Sequence, residues 1–376
     1  MSNLRHQPYV QTRRDAWVEV NLGNIEKNFL TLKKYAKPDT EIFAIIKADA
    51  YGHNSTMVAP ALIASGVNAF GVASVDEGIE LRNSGCEIPI LVLGAVPVWS
   101  FISAAQNDIS ISVFSEEHIK AIKLAYEHLK KPVKVHVKID TGMNRIGLYY
   151  KEAPEFIQKI LAMKEVEVCG IFSHLACAED REITKMQSER FNFVREKFPQ
   201  IKAHLLNTAG IISYPDLQFN AMRAGIGIYG LMPDLPDGAT PPKLYPAMSL
   251  KGRIAYIKDV EPDEGVSYSY TYKTSKKTRI ATVPIGYADG VPRALSNKIF
   301  GIINGKKIPQ IGNITMDQMM FDVSEAGNVN IGDVITLIGE DEGQEIRIDE
   351  WANLLGTIHY ELTCRLKVRL PRVYTR

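Results

Sequence analysis

Apolar residues recur along this chain in two rhythms, and the point where one gives way to the other divides it. Through residue 228, short apolar runs alternate with longer stretches whose apolar positions recur every three or four residues. The runs at 42–46, 69–73, 90–93, 109–113, 133–139, 168–172, 203–206 and 221–228 predict strands. The stretches at 21–36, 55–65, 75–83, 98–106, 115–130, 153–163 and 181–198 predict helices, and all after the first open near a Ser, Asp or Pro. Eight strands alternating with helices fit a (β/α)8 TIM-like barrel, an α/β fold of about 250 residues. The helix at 21–36 would then close the barrel ahead of the first strand. A doubly wound open sheet has the same element order, and strand counting does not separate the two.

One strand favours the barrel. In VKVHVKID, Val133, Val135, Val137 and Ile139 alternate with Lys134, His136, Lys138 and Asp140. Strands of an open parallel sheet are apolar on both faces, whereas a barrel strand can turn polar residues inward near an active site.

The second rhythm follows a proline-rich stretch around MPDLPDGATPPKL, residues 232–244. From residue 247 to 333 strand-like alternation dominates, punctuated by Gly286, Gly301, Gly305 and Gly312. One helix is expected at 348–355, then a final strand pair, with 365–376 patterned as an edge strand. The expected domains are therefore 21–240, a barrel, and 241–376, mainly β. A strand within residues 1–20 is assigned to the β domain.

Composition narrows the setting more than the chemistry. The 376 residues are 45% hydrophobic, enough for a large core. Basic and acidic residues number 44 and 43, so no basic excess points to nucleic acid. No apolar run is long enough to cross a bilayer, and residues 1–17 lack the apolar centre of a signal peptide. Cys86, Cys169, Cys177 and Cys364 have neither metal nor redox spacing. The expectation is a cytoplasmic protein without a metal site.

In a barrel, reactive groups gather at the C-terminal ends of the strands. Lys47 follows the first predicted strand. Lys138 lies near the end of the fifth, with Asp140, Asn144 and Arg145 in the next loop. His174 follows the sixth, Asn207 and Thr208 the seventh, and Arg223, Gly225 and Ile226 belong to the eighth. The loops after strands seven and eight are the usual phosphate site of this architecture. A lysine beside a phosphate cradle suggests pyridoxal phosphate held as a Schiff base. The G-x-G-x-x-G at Gly225, Gly227 and Gly230 is no dinucleotide fingerprint, because MPDLPDGATPP cannot supply the following helix.

Nine blocks, in order, then carry a family resemblance: FAIIKADAYGHN, HVKIDTGMNRIGL, FSHLACAE, HLLNTAG, MRAGIGIYGL, GVSYSYTY, VPIGYADG, GNITMDQMMFDV and TIHYELTCRLKVRLPRVY. Together they resemble alanine racemase, a pyridoxal-phosphate-dependent homodimer of barrel and β domain whose active sites combine both subunits. The resemblance implies that Lys47 holds the cofactor and works on the D face of alanine, and that Tyr268, from the partner subunit, works on the L face. Two bases on opposite faces are what racemisation needs.

It further implies that His174 and Arg223 form an orienting chain behind the tyrosine, with Arg223 also at the pyridine nitrogen. Tyr51, His174, Asn207, Thr208, Gly225, Ile226 and Tyr360 would line the cofactor, and Arg145, Met316 and Tyr287 the substrate. Lys138 would be carbamylated and hold Arg145. The implied role is D-alanine supply for peptidoglycan, with a relaxed amino-acid (serine) racemase as the alternative. Thr208 and Thr315 depart from the serine and cysteine more usual in the family. Related decarboxylases are longer and lack the KADAYGH and YADG blocks, and single-domain carriers lack the β domain.

Overall fold

The computed structural model describes residues 15–376. Contacts divide it into a barrel unit, residues 22–247 with 376, and a sheet unit made of residues 15–21 together with 248–375.

The chain enters through strand β1 (Ala16–Asn21) and helix α1 (Leu22–Lys33). The barrel strands follow as β2 (Glu41–Ile45), β3 (Ala69–Val72), β4 (Ile90–Val92), β5 (Ser110–Val113), β6 (Val133–Asp140), β7 (Val166–Phe172), β8 (Ala203–His204) and β9 (Ala221–Ala224). Their order is β5-β4-β3-β2-β9-β8-β7-β6, and β6 returns to β5. Every pair is parallel. The β5–β6 ladder closes the cylinder and rules out the open sheet.

The intervening helices are α2 (Ser55–Ala64), α3 (Val75–Asn83), α4 (Phe101–Gln106), α5 (Glu116–Leu129), α6 (Ala153–Leu161), α7 (Arg181–Arg195) and α8 (Thr208–Ser213). Asn54, Ser74, Ser115, Asp180 and Asn207 each accept a backbone N–H at a helix start, which satisfies donors the helix cannot. On α1, Ile25, Asn28, Phe29 and Leu32 form one buried stripe at helical spacing. Asn28 Nδ2 donates to Ile228 O at 3.1 Å and Tyr245 O at 2.7 Å, tying α1 to the segment after β9. The helix thus seals the barrel where a helix following the eighth strand would normally lie.

β6 behaves as its alternation requires. Val133, Val135, Val137 and Ile139 are fully buried on one face, while His136 and Lys138 are buried on the other. His136 meets Phe43 of β2, Phe172 of β7 and His204 of β8, so that face points into the barrel.

Several boundaries differ from expectation. The eighth strand ends at Ala224, and Ile226–Tyr229 is a 3-10 turn. The helix expected at 98–106 begins as a 3-10 turn over Val98–Ser100. A second helix, His359–Arg365, follows Ile348–Leu355. There is also no final strand pair. Leu362 and Thr363 are buried while Glu361 pairs with Arg365 one turn on, a helical arrangement. Arg372 then donates to the carbonyls of Leu366, Lys367 and Leu370, which leaves only Arg372–Thr375 extended.

In the sheet unit the neighbours run 256–260, 278–283, 319–322, 306–311, 300–303, 334–341, 248–253, β1 and 372–375. β1 pairs antiparallel with Met248–Arg253 and parallel with Arg372–Thr375.

Candidate active site

Lys47 stands where β2 ends, and the backbone beyond it winds the wrong way. Ala48, Asp49, Ala50 and Tyr51 all have φ near +53° and ψ between 39° and 50°, a left-handed helical turn. Each such residue costs about 1–2 kcal/mol relative to right-handed backbone, so the turn stores about 4–8 kcal/mol. Local contacts offset that strain. His53 is fully buried, and its Nδ1 sits 2.9 Å from Ala50 O and 3.1 Å from Tyr51 O. Asp49 Oδ1 accepts from Ser55 N at 2.8 Å, fixing the turn to α2. Tyr51 and His53 both pack on Tyr229, whose hydroxyl donates to Ile45 O at 2.9 Å. The KADAYGH block is therefore a strained but braced support for one half-buried lysine.

Arg223, from β9, is 3% exposed and has no carboxylate partner among the described residues. Its Nη1 donates to His204 Nδ1 at 2.6 Å and to His204 O at 3.2 Å. Its Nη2 donates to Ser173 O at 2.7 Å, Leu205 O at 2.8 Å and His174 Nδ1 at 3.2 Å. Burial lowers the guanidinium pKa to about 9, and it stays protonated at neutral pH. Burial, together with Arg223, Lys138, Arg145 and Lys47, holds His174 far below its ordinary value. His204 is held down the same way by burial, Arg223, His136 and Lys138. Both imidazoles are thus neutral, accept from Arg223 through Nδ1, and carry their proton on Nε2. His204 Nε2 lies 3.1 Å from His136 Nδ1, which passes the same tautomer one ring further. His204 also stacks on Phe172, centroids 4.9 Å apart.

Lys138 is 4% exposed, with its Nζ 4.7 Å from the centre of the Phe172 ring. Burial, then Arg223 and Arg145, push its amine far down; Asp140 opposes them weakly. Asp140 Oδ1 accepts from Gly142 N and Asn144 N, shaping the loop that carries Arg145. Arg145 is exposed at that rim, and no hydrogen bond to its guanidinium occurs among the described residues.

Thr208 opens α8, capped by Asn207, whose Oδ1 accepts from Gly210 N at 2.9 Å. The Thr208 hydroxyl accepts from Gly225 N at 3.0 Å and Gly227 N at 3.4 Å. A side chain on Gly225 would lie 3.6 Å from the Tyr51 hydroxyl and 3.7 Å from that of Thr208. The missing Cβ leaves a small cradle between two hydroxyls. Ile226 is buried beside it.

The other expected residues belong to the sheet unit. Tyr268 is 71% exposed in a 3-10 turn, Tyr268–Tyr270, that follows Ser267. Asn313 Nδ2 donates to Tyr268 O at 2.7 Å, and Ser267 Oγ donates to Asn313 O at 2.7 Å. A groove of about 710 Å³ runs along Tyr256, Lys258, Glu264, Ser267, Tyr268 and Thr315. Tyr287 and Met316 are brought together by Tyr287 N donating to Thr315 O and Ala288 N to Met316 O, both 3.0 Å. A Cβ on Gly286 would stand 2.2 Å from Thr315 O, so only glycine permits that crossing. Tyr360 is on helix His359–Arg365, its ring stacked on His359.

The barrel thus brings together Lys47, Tyr51, Lys138, Arg145, His174, Asn207, Thr208, Arg223, Gly225 and Ile226. Two members of the arginine network were not singled out from sequence as functional. His136 could have been found as an inward position of an alternating strand. For His204, in a two-residue strand, no periodicity exists to find it.

Sequence comparison extends over most of the chain. The profile for "Alanine racemase, N-terminal domain" matches residues 20–233, and that for "Alanine racemase, C-terminal domain" matches 247–374. "Alanine racemase 2" of Oceanobacillus iheyensis is 41% identical, over 96% of this chain and 94% of its own. The alanine racemase of Methanococcus maripaludis is 40% identical, over 95% and 98%. Among solved structures, alanine racemase of Clostridium difficile superposes with a TM-score of 0.91 at 38% identity, covering 96% of both chains. That of Bacillus anthracis with bound L-Ala-P gives 0.89 at 35%, covering 98% of this chain and 96% of its own. The chain belongs to the alanine racemase family of pyridoxal-phosphate-dependent isomerases.

Proposed function

We propose that the chain interconverts L- and D-alanine by two bases, Lys47 on one face of the substrate and Tyr268 of a second copy on the other. The observation that carries this reading is the Arg223 network, which fixes the protons of two neutral histidines beside a strand-end lysine.

Pyridoxal phosphate fits the residues present. The Tyr51 and Thr208 hydroxyls border a cradle that suits its phosphate. The Arg223 Nε–H makes no hydrogen bond among the described residues while both terminal nitrogens are occupied, which leaves it to donate to a pyridine nitrogen. When bound through Lys47, the cofactor supplies the electron sink that acidifies the substrate Cα–H.

This chain's residues do the rest. Arg223, protonated at neutral pH and placed to donate, would keep the ring nitrogen unprotonated and the sink weak, which favours simple proton exchange over transamination. His174, accepting from Arg223 at Nδ1, presents Nε2–H outward, where it would donate to the Tyr268 oxygen and favour its anionic form. Arg145 offers a fork to the substrate carboxylate. Lys138, with its amine pushed down by burial and neighbouring cations, is the free amine that attacks carbon dioxide. A carbamate forms with loss of one proton and turns a crowded cation into a partner for Arg145.

The exposure of Tyr268, Tyr270, Tyr287 and Met316 on one unit supports a homodimer that covers them. Met316 and Tyr287 would then border the substrate and Tyr360 the phosphate. The D-alanine formed would serve peptidoglycan synthesis in the cytoplasm, and loss of the gene would then impose a D-alanine requirement. The decisive experiment incubates each enantiomer in deuterated water with wild type and Tyr268→Phe. The reading expects the variant to lose exchange unequally for the two enantiomers; equal loss rejects the second base.

A further inference from the structure

Glu77 lies in the first turn of α3, three residues after the cap Ser74, the spacing of a capping box. In such a box its carboxylate would return to the Ser74 N–H. Here it does not. Oε2 accepts from Ala73 N at 2.6 Å, and Oε1 reaches across to Ala48 N at 2.8 Å. Ser74 still serves the helix, accepting from Glu77 N at 3.3 Å.

The place of that bridge is informative. The β2–β3 ladder ends with Ile46 N donating to Gly71 O at 3.0 Å. Beyond it the chain after β2 turns left-handed, and the ladder cannot continue. Ala48 N–H heads that turn and lies among the donors no helical turn satisfies internally. It is also the amide joined to the Lys47 carbonyl carbon, so holding it fixes ψ of Lys47 and the direction of the lysine Cα–Cβ bond. His53 fastens the carbonyl end of the turn; Glu77 fastens its amide end to the neighbouring strand.

We infer that Glu77 is a positioning residue for the reaction: its carboxylate clamps the peptide after Lys47 to the end of β3 and so aims the lysine amine. The inference rests on the reading of Lys47 as the cofactor-bearing base. A displacement near 1 Å at such a group costs on the order of 100-fold in rate.

The test compares full-length, cofactor-loaded wild type with Glu77→Gln and Glu77→Ala. The readouts are kcat and KM in both directions, the pH midpoint of the cofactor's visible absorbance, the borohydride-trapped lysine by peptide mapping, and the melting temperature. Glu77→Ala is expected to lower kcat on the order of 10- to 100-fold with little change in KM, and to move the absorbance midpoint. Glu77→Gln, which keeps one accepting oxygen, should recover part of both. A fall in melting temperature with kcat and midpoint unchanged would reduce Glu77 to a structural brace and overturn the inference. If Glu77→Ala does not fold, Glu77→Gln decides on the same readouts. Trapping of a lysine other than Lys47 in wild type overturns the underlying reading instead, so the two failures are distinguishable.

Discussion

Lys47 and Tyr268 both stand on backbone bordered by left-handed residues, yet the two supports are built in opposite ways. After Lys47, four such residues run in succession, and the turn is closed by buried groups of its own unit: Tyr51, His53 and the Tyr229 ring beneath them. Around Tyr268, Ser267, Ser269 and Tyr270 have φ of 65°, 62° and 45°, but the Tyr268 side chain is largely exposed, the Tyr270 ring lies over Gly265, and Asn313 supplies the main bracing. Strain at a functional site persists only where surroundings over-determine it. The barrel unit does this for Lys47 by itself. The Tyr268 turn leaves its phenol uncovered, the arrangement expected of a group meant for a second copy.

The contrast makes demands that can fail. Lys47→Ala should abolish racemisation in both directions and remove borohydride trapping; surviving trapping would reassign the lysine. Tyr268→Phe should cost on the order of 10²- to 10⁴-fold in turnover while unfolding stays within about 0.5 kcal/mol of wild type. A stability loss there as large as at the barrel site would erase the distinction. Arg223→Leu leaves the carbonyls of Ser173 and Leu205 and the Nδ1 of His204 without their donor. At about 1–3 kcal/mol for each buried unsatisfied group, denaturant unfolding should register a loss of at least about 3 kcal/mol.

A smaller effect comes from acid. His136 has its pKa lowered by burial, and then by Lys202 and Arg223, to about 3. The unfolded chain, near 6.5 for histidine, binds the proton first. Stability therefore falls as pH drops from about 6.5 towards 3, by up to about 1.4 kcal/mol per pH unit for this residue. Urea titrations across that window should show the slope, reduced in His136→Asn. Smallest are Ala48→Gly and Ser269→Gly, at exposed left-handed positions. Each should raise stability by no more than about 1 kcal/mol, strain relief being partly cancelled by unfolded-state entropy. A loss in Ala48→Gly would contradict the strain ascribed to the turn.

Where periodicity carries information, the chain is legible. The eight strands follow from the spacing of the apolar runs, and the inward face of His136 and Lys138 from the alternation in one strand, which favours a closed barrel over an open sheet. The rim chemistry follows in turn, since Lys47, His174, Thr208 and Arg223 fall at or just beyond strand ends. The left-handed run from Ala48 to Tyr51 leaves no such mark. Alanine and tyrosine are ordinary right-handed formers, and the contacts that reverse them, His53 and Glu77, act through space. Helix His359–Arg365 was hidden because its two buried residues, Leu362 and Thr363, are too few to set a period.

The pairing of β1 with both Met248–Arg253 and Arg372–Thr375 bears on how the chain is made. The barrel is contiguous, so all its strands have emerged from the ribosome once residue 247 has cleared the exit tunnel. The sheet unit draws on strands about 350 residues apart, and β1 must wait beside a finished barrel with both of its backbone edges unpaired. Pairings of such sequence separation close slowly, and unpaired edges invite association in the interval. Met248–Arg253 can cover one edge of β1 as soon as it emerges, and the segment 372–375 covers the other, so stalling before it should yield chains that aggregate through that second edge.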